Sequence, residues 1–251
     1  MNEEIKRLIE EVNAISEKHQ NNARMNTLKN ECLKLAEDIL NGKDTGKYLL
    51  KISKHDGKME GIRSLSTYKL TCKTCLSLKD NKATICSHCY VDNTFKRYPQ
   101  LSLAMIYNTL LLKFTKLSQR QLPIINDLYF RFESFSDLQN EQHLQNLYAI
   151  AKHNPYTQFA LWSKNYGLVW KYKAPKNVNI ILSNYYLNKD LINADKLIEI
   201  TKARTQAKNV KVFSVYDDEH IQNQNCEKHC ITCLKCYKKS DKTTMINELL
   251  K

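Results

Sequence analysis

Apolar positions recur at helical spacing through the first forty residues: Ile5, Leu8, Ile9, Val12 and Ile15, then Leu28, Cys32, Leu35, Ile39 and Leu40. This pattern predicts two helices folded as a hairpin with a break at Asn21-Asn22, and it puts Cys32 on an apolar face as a core residue. Gly42 and Gly46 mark a turn-rich boundary. Beyond it, short apolar and aromatic runs alternate with amphipathic stretches. GIRSLSTYKL (61–70), DLYFRFES (127–134), TQFALWSK (157–164), VNIILSNYY (178–186) and VKVFSVYDDE (210–219) read as strands, the last being the final one. Residues 90–118, 141–154, 166–173 and 193–206 read as helices, and Asn193 is the expected cap of the last.

Strands alternating with helices predict an α/β fold with a parallel sheet, either doubly wound or closed part-way into a (β/α) barrel. An N-terminal helical extension over residues 1–45 would precede an α/β metal-binding domain over 46–251, which ends in a Cys-rich segment at 225–239. In such sheets ligands gather where the strands end. Four successive strand ends are polar here, and a Cys cluster follows both the first strand and the last. Any strand end meets water, so one polar end means little; the succession argues for a shared site. Arg131, Glu133, Asp137, Lys164, Asn184 and Asp217 are the candidate lining of that site, and the candidate catalytic residues if the chain is an enzyme.

Cysteine usage sharpens this picture. The chain has nine cysteines in 251 residues. It contains no run of about 18 apolar residues, so no membrane span is expected. Its opening MNEEIKRLIEEVNAISEKHQ lacks the apolar centre of a secretory signal, so a cytoplasmic setting is expected. Thiols stay reduced there, which favours metal ligation over disulfides. Cys72-x2-Cys75-x10-Cys86-x2-Cys89 is a pair of C-x2-C steps, and each step turns two sulfurs toward one metal. Cys226-x3-Cys230-x2-Cys233-x2-Cys236 packs four thiols into eleven positions. It resembles the ferredoxin-type run that wraps one 4Fe–4S cluster, and is the candidate cofactor-binding set. Zinc would accept either set. His88 and His229 lie inside the loops and read as exposed neighbours rather than ligands.

The formal charge is +13, from 39 basic and 26 acidic residues. Such an excess favours a nucleotide or nucleic acid as partner; the bland alternative is lysine spread over a solvated surface. Tyr90, Phe95, Lys96, Arg97 and Tyr98, and again Tyr237, Lys238 and Lys239, interleave rings with cations as base stacking plus phosphate contact requires. Two functions from different classes follow: a cluster-dependent redox or radical enzyme acting on nucleotides or nucleic acid, or a non-enzymatic zinc-stapled nucleic-acid binder. Metal staples joining the two ends of an open barrel are a third, purely structural reading.

The order ISKHDGK, an S-x-S stretch, TCKTC with CSHCYV, FRFESFSDL, FALWSKN, NVNIILSNYY, VKVFSVYDD and CEKHCITCLKCYKK resembles the phage gene-product-88 family of bacteriophages and other mobile elements. The likeness covers about residues 46 to 240. It implies a host-cell cytoplasmic location and no established activity. Phe135-Ser136 stand where the family's glycine falls, which puts a tight backbone turn there in doubt. More remotely, the layout is similar to the radical SAM partial barrel, whose Cys loop follows the first strand as Cys86-x2-Cys89-Tyr90 does here. That likeness implies SAM as a cofactor. Lys82 occupies the position of the third cysteine, so Cys72 or Cys75 would have to supply that sulfur. Cys226-x3-Cys230-x2-Cys233 has the spacing, but a ligating Cys236 would close the open iron.

Overall fold

Tyr129–Phe132 (β2) shows how the sheet sorts its side chains. Phe130 and Phe132 are fully buried under the helices, whereas Tyr129 and Arg131 point to the opposite face. A period of two does this wherever a strand has two different neighbours. The computed structural model describes residues 1–17, 23–239 and 242–250. The break expected at Asn21-Asn22 lies outside the described residues.

Six parallel strands form one sheet in the order of the chain: Arg63–Leu65 (β1), β2, Gln158–Ser163 (β3), Val178–Leu187 (β4), Val210–Tyr216 (β5) and Met245–Leu249 (β6). Each crossover steps to the adjacent strand. Crossovers of one hand then place every connecting helix on one face. The core agrees: Leu103, Leu144 and Ile198 of the helices cluster with Phe130, Phe159, Ile180 and Val212 of the strands. The sheet is therefore singly wound, which removes the doubly wound alternative. Ala160, Ile181, Phe213 and Ile246 face the other way and pack against Leu234 and Tyr237 of the C-terminal Cys segment.

The helices are Asn2–Glu17 (α1), Ala23–Leu40 (α2), Lys73–Lys79 (α3), Val91–Arg97 (α4), Pro99–Phe114 (α5), Glu141–His153 (α6), Tyr166–Val169 (α7), Ala194–Thr205 (α8) and Cys230–Cys233 (α9). The N-terminal helices dock on the body of the fold. Ile5, Leu8, Cys32 and Leu35 join its core, Lys113 pairs with Glu4, and Tyr68 donates to Glu11 at 2.7 Å.

Three expectations need correction. VKVFSVYDDE is not the last strand, because Met245–Leu249 adds a sixth beside it. Residues 90–118 are not one helix: Tyr98 leaves helical geometry at ψ 72°, as the residue before a proline must, and Pro99 starts a new helix. Asn193 does not cap α8 through its side chain. It sits in the left-handed region at φ 56° and makes no side-chain cap bond.

Candidate functional site

The two cysteine sets, separated by the 136 residues from 90 to 225, meet at one cavity of about 530 Å³. Cys75, Cys86 and Cys89 line one side, and Cys226, Cys230 and Cys236 line the other. The first loop follows β1 and is held over the strand ends by an antiparallel bridge between Thr84 and Tyr186, near the end of β4. The second leaves β5 and is tied to β6 through Asn247, whose carbonyl accepts from the amides of Asn225 and Cys226. It then crosses beneath the sheet. Asn179 Nδ2 donates to the Cys236 carbonyl at 3.2 Å, and His229 Nδ1 lies 3.0 Å from the Gly57 carbonyl, just before β1. The segment thus spans from β6 to the chain preceding β1.

Among the described residues, no three Cys, His, Asp or Glu donors converge into a ready metal cage. The donor chemistry nevertheless suits zinc or iron: eight thiols are soft ligands, and the α9 turn carries Cys230 and Cys233 on one loop with Cys226 and Cys236. Cys236 feels the charge of the other three thiols of its set. In the first set, the pairing of Cys72 with Cys75 lowers the pKa of Cys72 and raises that of Cys75. Burial pushes the Cys226 thiol up to about 11 and raises Cys86, Cys230 and Cys236 as well. Buried thiols of this kind are poor nucleophiles, and a metal must displace their protons to bind.

Four of the six polar candidates line the cavity: Arg131, Glu133, Asp137 and Lys164. Arg131 stacks its guanidinium over the Trp162 ring at 4.2 Å and donates to Met59 Sδ at 3.3 Å. Glu133 is the residue where β2 ends, and it takes the left-handed conformation at φ 57°. The turn that glycine would ease is thus made by a glutamate. Its carboxylate accepts from Thr67 Oγ1 at 3.2 Å, and burial raises its pKa. Asp137 accepts from Ser163 Oγ at 2.6 Å and from the Lys164 amide at 2.7 Å, so it fastens the end of β3. Asn184 and Asp217 do not reach the cavity. Asn184 donates to the Lys189 carbonyl at 2.6 Å, and Asp217 binds Asn188 and His220, each at 2.6 Å. Both serve local loops.

Sequence reasoning missed several residues of this wall. Ser134 and Tyr90 line it, and Tyr90 donates to the Ser134 carbonyl at 2.6 Å; behind the wall, Ser64 and Ser66 Oγ each lie 2.8 Å from Ser134 Oγ. The S-x-S stretch is the signal for this support: a spacing of two turns the hydroxyls of Ser64, in β1, and Ser66, just past it, to one side. Lys69 is buried, with Nζ 2.7 Å from Asp92. Lys58 donates to the Cys226 carbonyl and pairs with Glu248. Tyr237, expected to stack on bases, is buried against Tyr129 with ring centroids 5.8 Å apart.

Residues 25–247 match the family described as Gene product 88. The chain belongs to that family. The match begins within α2 and ends within β6, so it extends past both limits of the likeness seen in sequence. No curated protein and no solved structure matches the chain. No helix among the described residues is long and apolar enough to cross a membrane.

Proposed function

We propose that this Gene product 88 protein is a metalloprotein whose two four-cysteine sets bind metal around one shared reaction chamber. The carrying observation is that Cys75, Cys86 and Cys89 share a cavity with Cys226, Cys230 and Cys236. Two cysteine sets used only as independent staples would have no reason to send three thiols each to common space. Cys72, Cys75, Cys86 and Cys89 would hold one metal centre, and Cys226, Cys230, Cys233 and Cys236 the other. Bound iron–sulfur would supply electron transfer or, with SAM, radical chemistry; bound zinc would supply rigidity or Lewis acidity. This chain's own residues divide the remaining work. Trp162 and Phe213 exclude water from the cavity wall, Asp137 fixes the β3 end beside the first set, and Glu133 shapes the turn at the end of β2.

Anaerobic purification tests this directly. Iron, sulfide and zinc analysis should return one or two occupied centres per chain, and an iron–sulfur protein should absorb broadly near about 400 nm. SAM cleavage by the reduced protein would establish the radical branch. A chain that carries neither iron nor zinc, with its loop thiols open to alkylation, would overturn the proposal.

A second reading, a zinc-stapled nucleic-acid binder, is favoured by one surface. Tyr98 is half exposed at the end of α4, beside exposed Lys96 and Arg97. Binding there should weaken steeply with salt as counterions are released, and should be lost in Tyr98→Ala. The burial of Tyr237 removes the second half of the expected binding surface.

A further inference from the structure

We infer that the cavity between the cysteine sets is built to hold a small organic anion, a carboxylate or a phosphate monoester, with Arg131 as the main anchor and Lys164 as the second cation. This deepens the proposed function by naming the chemical class of what the chamber receives. It depends on the cavity and its charges, so its test can succeed or fail separately from metal binding.

Charges around the cavity that already have partners leave only some free to meet an anion. Four basic side chains line the space: Lys58, Lys69, Arg131 and Lys164. Lys58 is paired with Glu248, and Lys69 with Asp92. Among the described residues, neither Arg131 nor Lys164 has a carboxylate within ion-pair distance. The acids that face the cavity are engaged elsewhere. Glu248 is held by Lys58, the Asp137 oxygens accept from Ser163, Leu138 and Lys164 backbone or hydroxyl donors, and Glu133 is turned to Thr67 and His143. Asp56, also at the lining, is exposed.

Arg131 is also prepared for a planar acceptor. The Trp162 ring fixes the plane of its guanidinium at 4.2 Å. Met59 Sδ and the Glu133 carbonyl take one donor each, at 3.3 and 3.4 Å, from a group that carries five N–H bonds. The unused donors form the fork that matches carboxylate and phosphate oxygens. Trp162 Nε1, on the same wall, is buried without a hydrogen-bond partner and adds a further unspent donor. A volume of about 530 Å³ admits a molecule of mononucleotide size. A nucleic-acid strand threaded between two loops would need an open groove instead.

The test is calorimetric titration of the full chain, purified without oxygen, both as isolated and after metal removal. The probes are inorganic phosphate, succinate, adenosine 5′-monophosphate and neutral adenosine. At least one anionic probe should saturate the protein, and adenosine should bind about tenfold more weakly or worse, with affinity falling as salt rises. Succinate against the nucleotide separates a carboxylate site from a phosphate site. Arg131→Gln should weaken the best probe by about tenfold, Arg131→Lys by less because charge survives without the fork, and Lys164→Gln by a few-fold. Lys164 is part-exposed, so its variant checks the site even if Arg131→Gln folds poorly. The proposal fails if no anionic probe saturates at millimolar concentration. It also fails if a folded Arg131→Gln protein binds the probes unchanged and alters only metal retention, since Arg131 would then be a counter-charge to the Cys230 and Cys236 thiolates.

Discussion

Glu133 Oε1 stands 3.3 Å from His143 Nε2, and both side chains are wholly buried. The pair links the end of β2 to the first turn of α6. His143 Nδ1 accepts from the Gln139 amide at 3.2 Å, so in the neutral ring the proton resides on Nε2 and faces the carboxyl. The approach is close enough for an ion pair but misses hydrogen-bond geometry, so both atoms lack a formal hydrogen-bond partner. Two buried groups in this position make Glu133 a stability-linked titrating site.

The sign follows from burial. Glu133 is raised above its ordinary 4.5, so its protonated form is the one the fold favours. That contribution is fully present below pH 4.5 and is lost as pH climbs through the raised folded value. Glu133→Gln keeps the shape and cannot titrate. Urea midpoints of the two proteins, followed upward from pH 4.5, should diverge in favour of the glutamine variant; parallel curves would refute the linkage. His143→Ala, which strands the buried carboxyl, should cost about 1–3 kcal/mol.

Cys32 is the one cysteine outside the two sets. It is buried in the helical core, its thiol donates to the Leu103 carbonyl at 3.4 Å, and burial pushes it up to about 12. Iodoacetamide on the folded, metal-free chain should spare Cys32, as mass mapping of the modified peptides would show. Cys32→Ala should leave metal content unchanged, because this thiol faces the helices.

Gly61 holds φ +81° directly against the C-terminal Cys segment, where an added Cβ would lie 3.4 Å from Ile231 Cγ1. Gly57 has a similar φ of +60° and open space around it. Alanine at either position should cost about 1–2 kcal/mol for the left-handed backbone. Any further loss at Gly61 measures the Ile231 contact. Equal denaturation midpoints for the two variants would mean that this contact carries no weight.

Tyr237 and Tyr98 make an opposed pair. Tyr237 is buried beneath the sheet, so Tyr237→Ala should cost about 3–5 kcal/mol and disturb the second cysteine loop. Tyr98 is half exposed, and Tyr98→Ala should stay within about 0.5 kcal/mol. Thermal denaturation of both variants separates a packing tyrosine from a surface one.

β2 to β5 were legible because runs such as VNIILSNYY and VKVFSVY are apolar on both faces, as strands covered twice must be. MINEL escaped notice because it is short, mixed in polarity and mostly half-buried at the sheet's edge. Arg131, Glu133, Asp137 and Lys164 were legible as cavity-lining residues because they lie at or just past the ends of the adjacent strands β2 and β3. Asn184 and Asp217 follow the same rule in sequence yet turn to local loops: a β-bulge between Ser183 and Leu187 redirects the end of β4, and Asn188 draws Asp217 aside.

The sequence by itself determined the parallel α/β class, the helical N-terminus, the two cysteine sets and the family likeness, since each is carried by periodicity or by spacing within a few dozen residues. Tertiary structure alone decided that the sheet is singly wound, that both cysteine sets open onto one cavity, and that Arg131 reaches it without an acidic partner. The meeting of the cysteine sets joins residues more than a hundred positions apart, and the others depend on strand pairing between separate segments. Local spacing cannot encode them; they arise only when strands pair and the closing segment is drawn across the sheet.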